Sequence, residues 1–462
     1  MSCFDHDQSR RAFLKRSAAL GMAGVAAPFV TSLGAIGEAA AATATDYKAM
    51  VCIFLYGGND YANTLTPYDQ ASYAQYLAAR TNIAHTRDSL AATLLKPAQA
   101  LAGGRQYALA PTMKSLLPLF DGGKLAPILN VGTLVQPTTK AQYLANSVRL
   151  PPKLFSHNDQ QSYFQASSPE GATSGWGGRI GDVFQNGNGA AALTCINASG
   201  NAVYLTGRNA VQYAVGTGGP IALLNNSRTM YGSAAAATTL RSLMTAAPGS
   251  LLGDEHARVS KRALDTYAQV SGALAGAPVA NFPLFPTGNS LADQLRMVAR
   301  LISVSSELGA KRQVFFVSIG GFDLHDNLVA QHPALIGRVA DAMKAFYDTT
   351  AAMGVADKVT SFTASDFGRT LQSNDDGSDH GWGSMHFAMG GAVKGGRLYG
   401  TPPAIGNGTA DDVGQGRLIP TVSVDQYVAT LASWFGVSDG DLRTVLPNIG
   451  NYDASSWKLG FL

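Results

Sequence analysis

The sequence predicts an α/β fold, with a largely parallel β-sheet covered by helices on both faces. Two observations carry this reading. Short apolar runs of strand length recur at 49–56, 125–131, 191–197, 314–319, 359–364 and 386–393. Segments with helical spacing lie between them, at 111–119, 290–308, 333–352 and 424–434, and strands alternating with helices build parallel sheets buried on both sides.

The chain opens on a different kind of segment. Arg10, Arg11, Lys15 and Arg16 precede a weakly apolar run at 18–35, and Glu38 then leads into four alanines at 39–42. Gly21, Gly24, Pro28, Ser32 and Gly34 interrupt the run, which suits a twin-arginine signal better than a membrane anchor of roughly 20 solidly apolar residues. Residues 1–42 are therefore excluded from the fold, and 43–462 are expected to form a single domain. Export to the periplasm or the extracellular space follows, with the twin-arginine translocase as a partner on the way. Two stretches fit the strand and helix alternation less well. The Gly, Asn and Ala rich region at about 186–247 reads as an irregular excursion, and 401–418 reads as a surface loop.

Composition narrows the function classes. The chain is 46% hydrophobic and 14% charged over 462 residues, which excludes disorder as its main state. A net charge of +3 without a basic stripe gives no footprint for nucleic acid. No later run is long enough to span a membrane. Cys52 and Cys195 sit in apolar runs, where a small buried thiol is the expected outcome.

The strand ends carry the chemistry, because open α/β sheets bind ligands beyond the carboxyl ends of their strands. The first run ends Gly-Gly-Asn-Asp at Asp60. The fourth ends Gly-Gly-Phe-Asp-Leu-His, giving Asp323 and His325. The fifth ends Ser-Asp-Phe-Gly-Arg-Thr, giving Asp366 and Arg369, and Asp379 with His380 precede the sixth. Any one of these aspartates also suits a turn or a helix N-cap. Gathered on one rim, they would repel one another unless a cation lay between them, and one or two divalent ions are expected. Imidazole with carboxylate suits zinc, manganese or iron, and more carboxylate favours magnesium or calcium.

At these residues the chain resembles an exported bacterial family catalogued as domain of unknown function 1501. The blocks that carry the likeness are Gly-Gly-Asn-Asp, Gly-Gly-Phe-Asp-Leu-His, Ser-Asp-Phe-Gly-Arg-Thr, Asp-His-Gly-Trp-Gly-Ser and Gly-Gly-Ala-Val-Lys-Gly-Gly, with Ser156, His157 and Asp159 and the Gly-Trp-Gly-Gly-Arg block ending at Arg179. That family is in turn similar to the alkaline phosphatase and sulfatase superfamily. The resemblance implies a three-layer α/β sandwich with metals at the carboxyl edge of the sheet. It implies Asp60, His157, Asp323, His325, Asp366, Asp379 and His380 as metal ligands, with His157 or Asp379 replacing a histidine that is missing where Phe367 stands. His380 is preferred to His386 as the last ligand, since His386 begins an apolar run.

A sulfatase of the usual kind needs Cys-x-Pro-x-Arg, and Cys195 is followed by Ile-Asn-Ala, so that activity is disfavoured. Ser156 is the leading nucleophile, with Thr64 and Ser365 behind it. Arg179 and Arg369 are the expected forks for a phosphoryl or sulfuryl group. The leading function is a metal-dependent hydrolase acting on small-molecule or polymer esters of phosphate or sulfate. The alternative is a non-catalytic envelope scaffold that keeps the fold and works with a second exported protein. Glycoside hydrolysis by paired carboxylates is a third class, without a motif to support it.

Overall fold

The computed structural model describes residues 46–223 and 229–462; the twin-arginine segment lies outside the described residues. In chain order the strands are β1 (Lys48–Leu55), β2 (Leu65–Pro67), β3 (Tyr107–Leu109), β4 (Leu125–Gly132), β5 (Cys195–Asn197), β6 (Tyr213–Gly216), β7 (Gly219–Pro220), β8 (Arg312–Ile319), β9 (Val359–Ser365), β10 (Arg369–Ser373), β11 (Ser378–His380), β12 (Ser384–Gly390) and β13 (Val422–Ser423). The longer helices are α1 (Gln70–Ala79), α2 (His157–Ala166), α3 (Trp176–Phe184), α4 (Ala234–Thr245), α5 (Leu251–Ala275), α6 (Ser290–Ser303), α7 (Leu328–Ala352) and α8 (Val424–Phe435). Tyr47–Leu462 clusters as one unit.

Nine strands form the central sheet in the order β13-β4-β12-β9-β1-β8-β5-β6-β7. β1 is central and runs parallel to both neighbours, with Leu55 level with Ile319 of β8 and with Ser365 of β9. β12 runs antiparallel to β9 and β4, and β7 antiparallel to β6. The carboxyl ends of β1, β8 and β9 therefore share one edge, and the chain that enters β12 starts from that same edge.

Side chains alternate across a strand, and β1 shows what this does here. Ala49, Val51, Ile53 and Leu55 face one core with Leu295 and Val298 of α6 and Val339 and Met343 of α7. Met50, Cys52 and Phe54 face the other, with Phe164 of α2, Ile180 of α3 and Val428 and Leu431 of α8. Helices on both faces of a mostly parallel sheet make the three-layer sandwich. Cys52 and Cys195 are both buried free thiols of the second core, where burial pushes their pKa values up.

The helix boundaries follow local chemistry. α8 opens on a capping box, with the Ser423 hydroxyl accepting from Gln426 N–H, and it closes on Gly436 at φ 117°. α7 begins five residues before Pro333, because Asn327 and the loop at Asp376 supply partners for its first turn. Pro333 itself lies in the second turn, where it lacks the N–H that would bond the Val329 carbonyl. The excursion at 186–247 contributes β5 and β6 to the sheet as well as α4. Residues 191–193 form a 3-10 turn ahead of β5, so the expected strand shortens to its last three residues.

Candidate metal centre

Four segments converge at the carboxyl edge. The turn after β1 is glycine because nothing larger fits: Gly57 has φ +112°, and a Cβ there would lie 2.4 Å from Asp323 N. That close approach locks the end of β1 against the loop leaving β8. The Gly57 amide donates to Asp366 Oδ2 at 3.2 Å, and its carbonyl accepts from Arg369 Nη1 at 3.1 Å. One glycine peptide thus ties together the loops that carry Asp323, Asp366 and Arg369. His157 arrives as the first residue of α2, and His380 as the last residue of the β10–β11 ribbon.

Three imidazoles and one carboxylate meet there. His380 Nε2 lies 3.0 Å from His157 Nε2 and 2.9 Å from His325 Nε2. Asp323 Oδ1 lies 3.1 Å from His325 Nε2 and 3.2 Å from His380 Nε2, while Oδ2 lies 3.2 Å from His157 Nε2. The far nitrogen of each ring has an acceptor. His157 Nδ1 sits 2.6 Å from Asp366 Oδ2, His325 Nδ1 3.1 Å from Asp379 Oδ1, and His380 Nδ1 2.7 Å from the Phe155 carbonyl. Ionised carboxylates and carbonyls only accept, so each Nδ1 carries a hydrogen, and wherever a ring is neutral its Nε2 turns a lone pair toward its neighbours.

Lone pairs about 3 Å apart repel, and the arrangement is relieved by a cation or by a shared proton. The donor chemistry fits a cation well. A tetrahedral zinc site with bonds of about 2.0–2.1 Å spaces its donors about 3.3 Å apart, close to the 2.9–3.2 Å seen here. The set whose ligand atoms all lie within 4.8 Å of one another is His157, Asp323 and His380; His325 touches His380 and Asp323 but falls outside that set. Imidazoles whose other nitrogen is held by a carboxylate or carbonyl are also the usual form of metal-bound histidine.

Electrostatics differ from ring to ring within the cluster. The hydrogen bond from Asp366 raises the His157 pKa against partial burial, whereas burial lowers that of His380. Burial would raise Asp323, but Arg369, 2.5 Å away, and the neighbouring imidazoles hold it below the usual carboxylate range. Asp366 is buried, its Oδ2 also accepts from Gln161 Nε2 at 2.8 Å, and its Oδ1 has no partner among the described residues.

Not every residue expected at the rim faces it. Asp60 leaves the same sheet edge, but its carboxylate lies against Arg80, with Nη1 to Oδ1 at 2.9 Å and Nη2 to Oδ2 at 2.6 Å. Asn63 N–H and the Ser378 hydroxyl complete its shell. Burial would raise this carboxylate, yet Arg80 holds it down to about 2. Asp366 and Asp379 stand behind imidazoles, on their Nδ1 sides.

The expected arginine forks are committed elsewhere. Arg179 donates to the carbonyls of Val445, Ser174 and Ala166, which fixes α3 to its surroundings. Arg369 is 1% exposed; its Nη1 and Nη2 donate to Asp323 and to the Gly57 and Ser378 carbonyls, while its buried Nε has no partner among the described residues. Ser156 Oγ donates to Asp159 at 2.9 Å, Thr64 Oγ1 to the Asp60 carbonyl at 2.7 Å and Ser365 Oγ to the Leu55 carbonyl at 2.7 Å. His386 is buried against Tyr427, with its pKa pushed down to about 3 by that burial.

Sequence reasoning passed over Gln161, Arg80 and the Phe155 carbonyl. Gln161 had a signal, since it lies four residues after His157 on the same helix face. A carbonyl acceptor has none, because every residue carries one.

Two solved structures overlap with the chain. A lipoteichoic acid synthase, LtaP from Listeria monocytogenes, is 9% identical with a TM-score of 0.33, over 87% of this chain and 74% of that one. The protein Ps i-CgsB, solved in complex with k-i-k-neocarrahexaose, is 10% identical with a TM-score of 0.33, over 88% and 77%. Both overlaps are loose. No curated protein matches the chain in sequence. A family model does match, over residues 47–444. The chain belongs to the family described as protein of unknown function, DUF1501.

Proposed function

We propose that this chain is an exported metal-dependent hydrolase of phosphate or sulfate esters, holding one divalent cation of the zinc class on His157, His325, His380 and Asp323. The observation that carries the reading is the meeting of three imidazole Nε2 atoms on one carboxylate, each ring held at Nδ1 from behind. Three nitrogens and an oxygen favour zinc, cobalt or iron over magnesium and calcium. When bound, such a cation supplies Lewis-acid chemistry, drawing charge from an ester oxygen.

The remaining steps belong to the chain's own residues. Asp366 and Asp379 hold the Nδ1 protons of His157 and His325, and so act as orienting groups. Arg369 fixes Asp323 and partly neutralises it. Asp323 and His325 are exposed, so the centre is open to solvent and to a bulky substrate. The hydroxyls of Ser156, Thr64 and Ser365 are all turned to other partners, which favours water as the attacking group. Asp60, paired with Arg80, serves the fold. Export through the twin-arginine route to the periplasm or beyond rests on Arg10 and Arg11, and no helix among the described residues is long and apolar enough to cross a membrane.

One observation favours the second reading, an envelope scaffold. With Arg179 and Arg369 both committed inside the protein, neither offers a fork to a transferring group. Elemental analysis of chelator-free protein, followed by turnover of an aryl phosphate and an aryl sulfate, decides. The hydrolase reading expects about one equivalent of a zinc-class metal, lost in His325→Ala with the melting temperature nearly kept, and turnover that falls with it. Metal without turnover leaves the scaffold, and no metal in the wild type overturns the centre.

A further inference from the structure

The segment 401–418 folds back so that its end reaches the candidate centre. Asp412 is buried and sets its shape, its carboxylate accepting the amides of Gly408 at 2.7 Å, Gly414 at 2.6 Å and Gly416 at 2.7 Å. The turn so fixed presents Arg417. Arg417 Nε donates to the His380 carbonyl at 2.8 Å, and its guanidinium carbon lies 5.1 Å from the centre of the Phe155 ring.

Phe155 is the residue whose carbonyl receives His380 Nδ1 at 2.7 Å. Its φ is 74°, and Lys153 two residues earlier is at 46°. A bulky side chain in that left-handed region is strained and persists only where its surroundings hold it there. The acceptor that fixes the His380 ring therefore hangs on a backbone that needs an external hold. Arg417 touches both ends of that hydrogen bond: the ring of the residue that accepts and the main chain of the residue that donates.

We propose that Arg417 is a positioning residue for the centre, clamping Phe155 in its strained conformation so that His380 keeps its acceptor and aims Nε2 at Asp323 and the other imidazoles. The inference rests on the reading of the centre given under Proposed function. A planar guanidinium suits the task because it can stack on a ring and donate sideways at once. A lysine keeps the charge near the ring but not the geometry.

The test uses the full chain with Arg417→Ala and Arg417→Lys, measuring zinc affinity by competition with a chromogenic chelator and the melting temperature of the metal-free protein. The Ala variant is expected to lose affinity by about tenfold to a hundredfold, the usual effect of removing support from behind a ligand. Its stoichiometry at saturating zinc and its metal-free melting temperature should stay near those of wild type, and the Lys variant should fall between the two. An Ala variant with wild-type affinity overturns the proposal, whatever its melting temperature. Should the Ala variant not fold, Lys decides, and wild-type affinity there overturns the proposal equally. A wild-type chain that takes up no zinc overturns the underlying centre instead, a failure visible before any variant is made.

Discussion

Replacing Arg80 with Met separates a structural Asp60 from a metal-binding one. Arg80 is fully buried and Asp60 is 1% exposed, and the pair shares two hydrogen bonds of 2.9 and 2.6 Å. Without the guanidinium, Asp60 keeps only the Asn63 amide and the Ser378 hydroxyl and must stay charged in the interior or take up a proton. Moving its pKa from about 2 to neutrality sets a ceiling of about 7 kcal/mol at pH 7, at about 1.4 kcal/mol per unit. Breaking a buried pair from one side ordinarily costs about 3–5 kcal/mol, inside that ceiling. For the unit Tyr47–Leu462, an unfolding entropy of about 2.1 cal/mol/K per residue sums to about 0.9 kcal/mol/K, so the melting temperature should fall by about 3–6 °C. Circular dichroism melts at pH 7 read this directly. Combining Arg80→Met with Asp60→Asn should recover part of the loss, because no bare charge remains, and should leave the metal content unchanged. The reasoning fails if Arg80→Met melts like wild type, or if Asp60→Asn alone sheds the cation while keeping its melting temperature.

Two further outcomes are expected. Gly57→Ala should lower stability by about 3 kcal/mol in urea titrations, since φ +112° and a contact of 2.4 Å with Asp323 N both penalise a Cβ; an unchanged midpoint would contradict this. Asp425 is buried, and burial raises its pKa to about 6 against the Asn448 amide and Arg179. A raised carboxyl makes the folded state hold its proton longer, so its contribution to stability falls as pH climbs from about 4 to about 6, and the full cost of charging remains above that. Asp425→Asn should therefore stabilise the protein by up to about 3 kcal/mol at pH 7.5 and very little at pH 4, and equal gains at both would refute the assignment.

Much of the fold was legible because buried strands are apolar and helices announce their caps. The runs at 49–56, 314–319 and 359–364 became β1, β8 and β9 almost to the residue, and the helical spacing at 424–434 became α8. Strand direction was less readable. An apolar run looks the same in either sense, so nothing in 386–393 indicated that β12 runs against β9. The same limit applies at the rim. Asp60, Asp323 and Asp366 all leave the expected edge, yet which of them meets the imidazoles depends on Arg80, a residue on no motif that ends up beneath Asp60. His157 and His380 stood in motif blocks that drew attention to them, while Arg417, 37 residues beyond its contact with the His380 carbonyl, lay in a stretch whose glycines and prolines read only as loop.

The antiparallel setting of β12 has a kinetic consequence. The chain reaches the sheet edge through the β10–β11 ribbon and only then turns back into β12, and His157 comes from a helix some 220 positions before His380. Contacts so far apart in sequence close late in folding. On the proposed reading of the centre, a chain not yet synthesised as far as His380 would lack one of the ligands. On the proposed export route, which carries folded cargo, a cation held as proposed would be taken up where the chain folds, before translocation.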